Sequence, residues 1–292
     1  MICVRLEGGL GNQLFQYATG RALALRHGVE LVLDDSSLRN RNRRATPRQL
    51  ELQRFRYVAR IASARETRWM PLFRRVPSVS RWLSPWRAYV EHGLMYNPTF
   101  ATLPDQTYLV GYWQSARYFD ATAASLCNEL QPVESMSKQS TYIAHRIDST
   151  ESVAVHVRRG DYVTLRAAAA LHGTLPLEYY VAAISRLRAA VALPHFFVFS
   201  DEPEWSASHL PLLVGEATFV SHNVGSQAWQ DLMLMSRCRH HVIANSSFSW
   251  WGAWLAGAGA ESGTVVAPRR WFADASDAAS TADRFPSHWK LL

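Results

Sequence analysis

The 292-residue chain is 48% hydrophobic and 19% charged, which excludes a disordered segment and leaves room for two domains of about 150 residues. Its net charge of +7 invites anionic partners, while three widely spaced cysteines (Cys3, Cys127 and Cys238) with no CxxC pair exclude a disulfide framework or a zinc cluster and fit a reducing compartment. No apolar stretch reaches the ~20 residues a bilayer span needs, and the start from Met1 carries charges where a signal peptide would be apolar, so a cytoplasmic protein is expected.

Ile2 to Glu7 alternates like a strand and runs into Gly8-Gly9-Leu10-Gly11-Asn12-Gln13. Apolar residues at 14, 15, 18, 22 and 25 predict a helix, and Glu30 to Asp34 a second strand. This is a βαβ start without the third glycine of GxGxxG, which argues against a nicotinamide site. The glycines let backbone N–H groups approach an anion, and Asn12 and Gln13 add side-chain donors. A tight turn before a helix is the plain alternative.

Between Arg39 and Arg87 lie fourteen arginines and two glutamates, a net +12 that leaves −5 for the rest of the chain. The segment suits a membrane surface, an acidic acceptor or nucleic acid. Because only Lys138 and Lys290 are lysines, a solvated helical surface in an arginine-rich composition is the bland alternative. Trp82, Pro85, Trp86 and Tyr89 follow, then a strand from Tyr108 entering the aromatic loop Gly111-Tyr112-Trp113-Gln114-Ser115. Exposed rings of this kind stack on sugars or bases, although most of the aromatic residues belong to the core. Phe119 to Leu130 reads as a helix and Pro132 to Gln139 as a linker. The expected domains are 1–135, with the Arg-rich insertion 39–87, and 150–292.

The second half alternates strands (Val153–Val157, Phe196–Asp201, Ala217–Ser221, His241–Asn245 and a last one at Thr264–Pro268) with helices (Glu178–Val191, Trp229–Cys238 and one opening at Ser246). A parallel sheet is expected. Three of its strand ends carry polar groups: His156, Arg158 and Arg159; Ser200 and Asp201; Asn245, Ser246 and Ser247. In a parallel sheet these ends share one edge, where ligands bind. Arginine's rigid fork suits a phosphate or diphosphate. The alternative is a strand end whose arginines meet solvent or nearby carboxylates. Ser246 and Ser247 offer hydroxyls and helix-start N–H groups to an anion, or simply cap the helix. Asp201 is suited to the paired donors of a guanine edge, or to a turn before Pro203. The chain has no Asp-x-Asp, which disfavours a metal-bound nucleotide sugar, no HxxxH and no GxSxG elbow.

His156-Val157-Arg158-Arg159-Gly160-Asp161-Tyr162 resembles the HxRRxDY motif of bacterial α-1,2-fucosyltransferases, glycosyltransferase family 11. Gly8 to Ala18 is similar to that family's N-terminal motif, Ala244 to Leu255 to its C-terminal motif, and Phe199-Ser200-Asp201 to a fourth block. The resemblance implies an α/β fold of GT-B type, two Rossmann-like domains facing a central cleft, with the acceptor on the first and the donor on the second. It implies metal-independent, inverting transfer of fucose from GDP-β-L-fucose to the 2-hydroxyl of a terminal galactose, with no cofactor. The acceptor would be a glycan or a lipid-linked oligosaccharide in surface polysaccharide biosynthesis. Contact of 39–87 with the inner membrane face stays open, and no nucleic acid is expected. Carried over position by position, His156 and Asp201 would contact guanine, and Arg158 and Arg159 the diphosphate. Asn12, Gln13, Asn245, Ser246, Ser247 and Phe248 would lie around phosphates and fucose, with Arg158 and Asp161 catalytic and Asp161 the candidate base. Competing readings are a fucosyltransferase of α-1,6 or protein-directed linkage, a silent nucleotide-binding module, and a basic nucleic-acid-binding protein.

Overall fold

The computed structural model describes residues 1–39, 48–68, 86–210, 215–257, 263–274 and 283–292. Much of the basic segment, with Trp82 and Pro85, lies outside them. The chain divides into two compact units, Met1–Val133 and Glu134–Leu292. Among the described residues no helix is long and apolar enough to cross a membrane.

In the first unit β1 (Ile2–Arg5), β2 (Leu31–Asp34), β3 (Arg60–Ile61), β4 (Arg87–Val90) and β5 (Thr107–Val110) form a parallel sheet in the order β3-β2-β1-β5-β4. β1, β2 and β5 are buried along their whole length, the signature of a sheet covered on both faces. The helix Leu10–His27 carries the chain from β1 to β2. It begins four residues before the apolar spacing predicts, with Gly9 as its N-cap, so Asn12 and Gln13 sit in its first turn. The described part of 39–87 holds β3 and two single helical turns, Glu51–Arg54 and Ala64–Thr67, where a longer helical surface was expected. The two-residue β3 and the half-buried β4 lack an apolar run that would reveal them.

The second unit holds β6 (Glu151–Val157), β7 (Pro194–Ser200), β8 (Ala217–Val220), β9 (His240–Val242), β10 (Val265–Ala267) and β11 (Lys290–Leu291). All are parallel, in the order β11-β10-β9-β6-β7-β8. Its first strand, β6, is central; the chain winds from it to β8 on one side and then to β11 on the other, the doubly wound order. Val153, Val155 and Val157 pack with Tyr179, Tyr180, Ala183, Ile184 and Leu187 of the helix Leu177–Ala190. Each such valine or leucine contributes roughly 1.5–3 kcal/mol through burial. Val265–Ala267 is not the last strand: Lys290–Leu291 adds an edge too short and too polar to be read from sequence. β9 stops at Val242, and Ala244 and Asn245 lie buried beyond it. The helix Lys138–Asp148 starts inside the expected linker, capped by Ser137, whose Oγ accepts from the Ser140 N–H (3.1 Å).

Candidate active site

β6 and β9 are hydrogen-bonded neighbours whose onward connections run to opposite sides of the sheet. Such a switch point opens a crevice at the carboxyl ends of the strands. Residues 158–162 leave β6 there, residues 243–249 leave β9, and residues 201–205 leave β7 alongside.

Arg158 is gripped by two carboxylates. Its Nη2 donates to Asp161 Oδ1 at 2.6 Å, and its Nη1 lies 3.2 Å from Asp201 Oδ2. Burial works against the charge on this guanidinium, but Asp201 and Asp161 outweigh it and raise its pKa. Arg159 donates its backbone N–H to Asp201 Oδ1 (3.0 Å) and its Nε to Glu202 Oε2 (3.0 Å), while its guanidinium lies 3.8 Å above the Trp205 ring. Gly160 packs against Asp201, and a β-carbon there would fall 2.6 Å from Oδ2. Asp201 therefore shapes the turn that carries both arginines. Both strand-end arginines are thus paired with nearby carboxylates. Each guanidinium has five donors and the bonds named use only some of them.

His156 is buried near the end of β6, and its ring centre lies 5.8 Å from that of Phe248. Burial, with Arg158 second, pushes its pKa down to about 3, so the ring is neutral at physiological pH. Its Nδ1 is buried with no hydrogen-bond partner among the described residues. Ser246 caps the helix Ser247–Gly257: its carbonyl accepts from Trp250 N–H (3.1 Å), and its Oγ lies 3.4 Å from Phe248 N. Ser247 and Phe248 are half-buried in the first turn.

Asn245 and Gln13 serve as staples. Asn245 Nδ2 points at the carbonyls of His172, Gly173 and Trp271 (3.1–3.2 Å), which ties three segments to the end of β9, while its Oδ1 is buried with no partner among the described residues. Tyr162 Oη donates to the Asn245 carbonyl (3.2 Å), its ring stacks on His172 (4.8 Å, 13°), and His172 stacks on Phe272 (5.6 Å, 27°). Gln13 is fully buried; its Nε2 donates to the carbonyls of Gly8 (3.0 Å) and Gln49 (2.8 Å), and its Oε1 accepts from Glu51 N–H (2.9 Å). Asn12 Oδ1 accepts from Gln114 Nε2 (2.8 Å). Both residues belong to the first unit. His156, Arg158, Arg159, Asp161, Asp201, Asn245, Ser246, Ser247 and Phe248 lie together along one edge of the second sheet.

Glu202, Trp205 and His172 escaped the sequence reading. Glu202 and Trp205 follow Asp201 in a stretch that Pro203 marks as a turn, and His172 sits after an alanine run with no motif around it. Among the described residues no three His, Cys, Asp or Glu side chains are grouped as a metal site.

The fold has a known counterpart. The fucosyltransferase NodZ from Bradyrhizobium matches with a TM-score of 0.54 at 16% identity, covering 86% of this chain and 91% of that one. The likeness defines the class: an α/β fold of GT-B type, built on two Rossmann-like units. Within that class the chain belongs to glycosyl transferase family 11, whose model matches residues 95–292. An alpha-1,2-colitosyltransferase of Escherichia coli is 31% identical over 99% of this chain and 98% of its own length. A galactoside alpha-(1,2)-fucosyltransferase 1 of Ateles belzebuth is 27% identical over 86% of this chain and 64% of its own length.

Proposed function

We propose that this enzyme transfers L-fucose from GDP-β-L-fucose to the 2-hydroxyl of a terminal galactose, with inversion and without a metal ion. The observation that carries the reading is the arginine turn Arg158–Arg159 at the β6/β9 switch point, next to the start of the Ser247–Gly257 helix. Family membership and the α-1,2 linkage named for both relatives support it. Arg158 and Arg159 meet the diphosphate and compensate the negative charge that grows on GDP as the fucose C1–O bond breaks. Ser246, Ser247 and the free N–H groups of the helix start assist. Among the described residues His156 Nδ1 and Asn245 Oδ1 are buried without a hydrogen-bond partner, which suits them to polar groups of the donor.

Asp161 takes a different part from the general base expected of it. Its Oδ1 is engaged with Arg158 at 2.6 Å, so it orients that guanidinium. It is a positioning residue. Asp201 holds the same turn from the other side and presents its carboxylate to the base only through that position. The acceptor is a galactose-terminated glycan, free or lipid-linked.

The colitosyltransferase relative motivates a second donor, since colitose differs from fucose by lacking the 3-hydroxyl. The test incubates the protein with GDP-fucose or the corresponding colitose donor, a panel of β-galactosides and excess EDTA, and reads product linkage by NMR. An α-1,2-linked fucoside formed equally with and without EDTA is expected. Another linkage, dependence on a divalent cation, or a product from the colitose donor alone would refute this assignment.

A further inference from the structure

The turn after β5 in the first unit adopts a conformation that its sequence does not favour. Trp113 has φ = 56°, a left-handed backbone that a bulky side chain takes only when its surroundings impose it. Glu91, just after β4, imposes it: its carboxylate accepts the Tyr112 N–H at 2.7 Å and the Trp113 N–H at 3.0 Å. Gly111 makes room, because a β-carbon there would fall on the Glu91 methylene. The Trp113 indole is fully buried, stacked on Tyr89 (6.0 Å, 21°) and edged by Tyr118 (5.4 Å, 90°). The turn thus drives Trp113 into the core and turns Tyr112 outward, where it stays 46% exposed. Two residues on, Gln114 reaches Asn12 in the first turn of the Leu10–His27 helix and forms an amide pair (2.8 Å).

β1 and β5 are neighbours at the switch point of the first sheet, so this ring and this amide pair stand on its ligand-binding edge. An aromatic face suits the C–H face of a pyranose, and amides suit its hydroxyls. The Glu91 carboxylate is committed to backbone N–H groups. Tyr112 and the Asn12–Gln114 amides offer the neutral contacts that an uncharged sugar takes, on an edge that also carries the Arg5–Glu7 ion pair and the Arg48 guanidinium, 3.5 Å from where a Gly9 β-carbon would lie.

We infer that Tyr112 is the stacking platform for the acceptor galactose, with the Asn12–Gln114 amides at its hydroxyls. The inference rests on the glycosyltransferase reading above and adds to it the residues that hold the acceptor.

The test titrates the full chain, without donor, with lactose, N-acetyllactosamine and Galβ1,3GalNAc by ligand-observed NMR, and measures the acceptor KM and GDP affinity in parallel. Tyr112→Ala is expected to weaken disaccharide binding and raise acceptor KM about tenfold, with Tyr112→Trp staying within about threefold of wild type. GDP affinity should not change in either variant. Equal disaccharide affinity in wild type and Tyr112→Ala overturns the platform, and so does the absence of disaccharide binding by the wild-type chain. If the platform fails while GDP-fucose turnover persists, the transferase reading stands alone. Tyr112-dependent disaccharide binding with no turnover of GDP-fucose would support the platform and sink that reading.

Discussion

The two parallel sheets put different chemistry at the same edge. In the second unit the turn after the central strand carries two arginines held by Asp161, Asp201 and Glu202. In the first unit the chain leaving β1 carries Glu7, paired with Arg5, then glycines and amides beside Arg48, and the turn after β5 carries rings. Charge has to be fixed in place to stabilise a charge that develops during reaction, and salt bridges to three carboxylates fix it. A neutral sugar needs shape and hydrogen bonds, and a buried glutamine and a glutamate on backbone N–H groups set that shape. The contrast teaches that one strand-to-turn architecture can present ion-paired arginines in one unit and amides and rings in the other, according to what the turn carries.

The largest effect should come from removing the charged side of this contrast. Arg158→Ala is expected to lower transfer by about 100- to 1000-fold while circular dichroism and the melting temperature stay near wild type. Near-normal transfer would break the assignment. Next comes the neutral side: Gln13→Ala strands the Gln49 carbonyl and Glu51 N–H, which predicts a loss of about 1–3 kcal/mol in denaturant unfolding with GDP affinity unchanged. A fall in GDP affinity without loss of stability would instead return Gln13 to the donor site.

Gly160→Ala should weaken GDP binding by about tenfold, because the new methyl meets an Asp201 carboxylate pinned by Arg158 and by the Arg159 N–H. Unaltered binding would show that the turn yields without consequence.

The smallest effect is on pH. Burial lowers His156 to about 3 and His241 to about 4. Unfolding therefore takes up protons below the ordinary histidine value, and stability falls as pH drops from about 6.5. His172, His195, His222 and His240, also lowered, act in the same direction. Asp231, raised to about 7 by burial, opposes them, because it is the folded state that holds its proton between the ordinary carboxylate value and 7. His156 and His241 together outweigh Asp231 by less than one proton, and Glu51, also raised by burial, opposes them, so a net loss on the order of 1 kcal/mol is expected between pH 6 and 4.5. A melting temperature that stays level or rises over that interval would contradict this.

The carboxyl-edge cluster was legible because it follows a buried apolar strand: Val153–Val157 marks its own end, and the arginines are the next residues. The parallel arrangement of the second sheet follows from alternation of strands and helices. What was hidden depends on distance in sequence. Nothing near Asn245 reveals that it holds His172, Gly173 and Trp271. Nothing near Asp161 distinguishes a base from a partner of Arg158. Gln13 looked like a ligand donor because a buried glutamine and an exposed one read alike until its three backbone partners are placed. β3 and β11 are two residues each, and an edge that short has no period to detect.

The central claim is that the arginine turn at the β6/β9 edge holds the donor diphosphate. Calorimetric titration of GDP into the wild-type protein and into Arg158→Ala tests it most directly. Saturable binding by the wild type and at least about tenfold weaker binding by the variant are expected. Equal GDP affinity in the two proteins would contradict it.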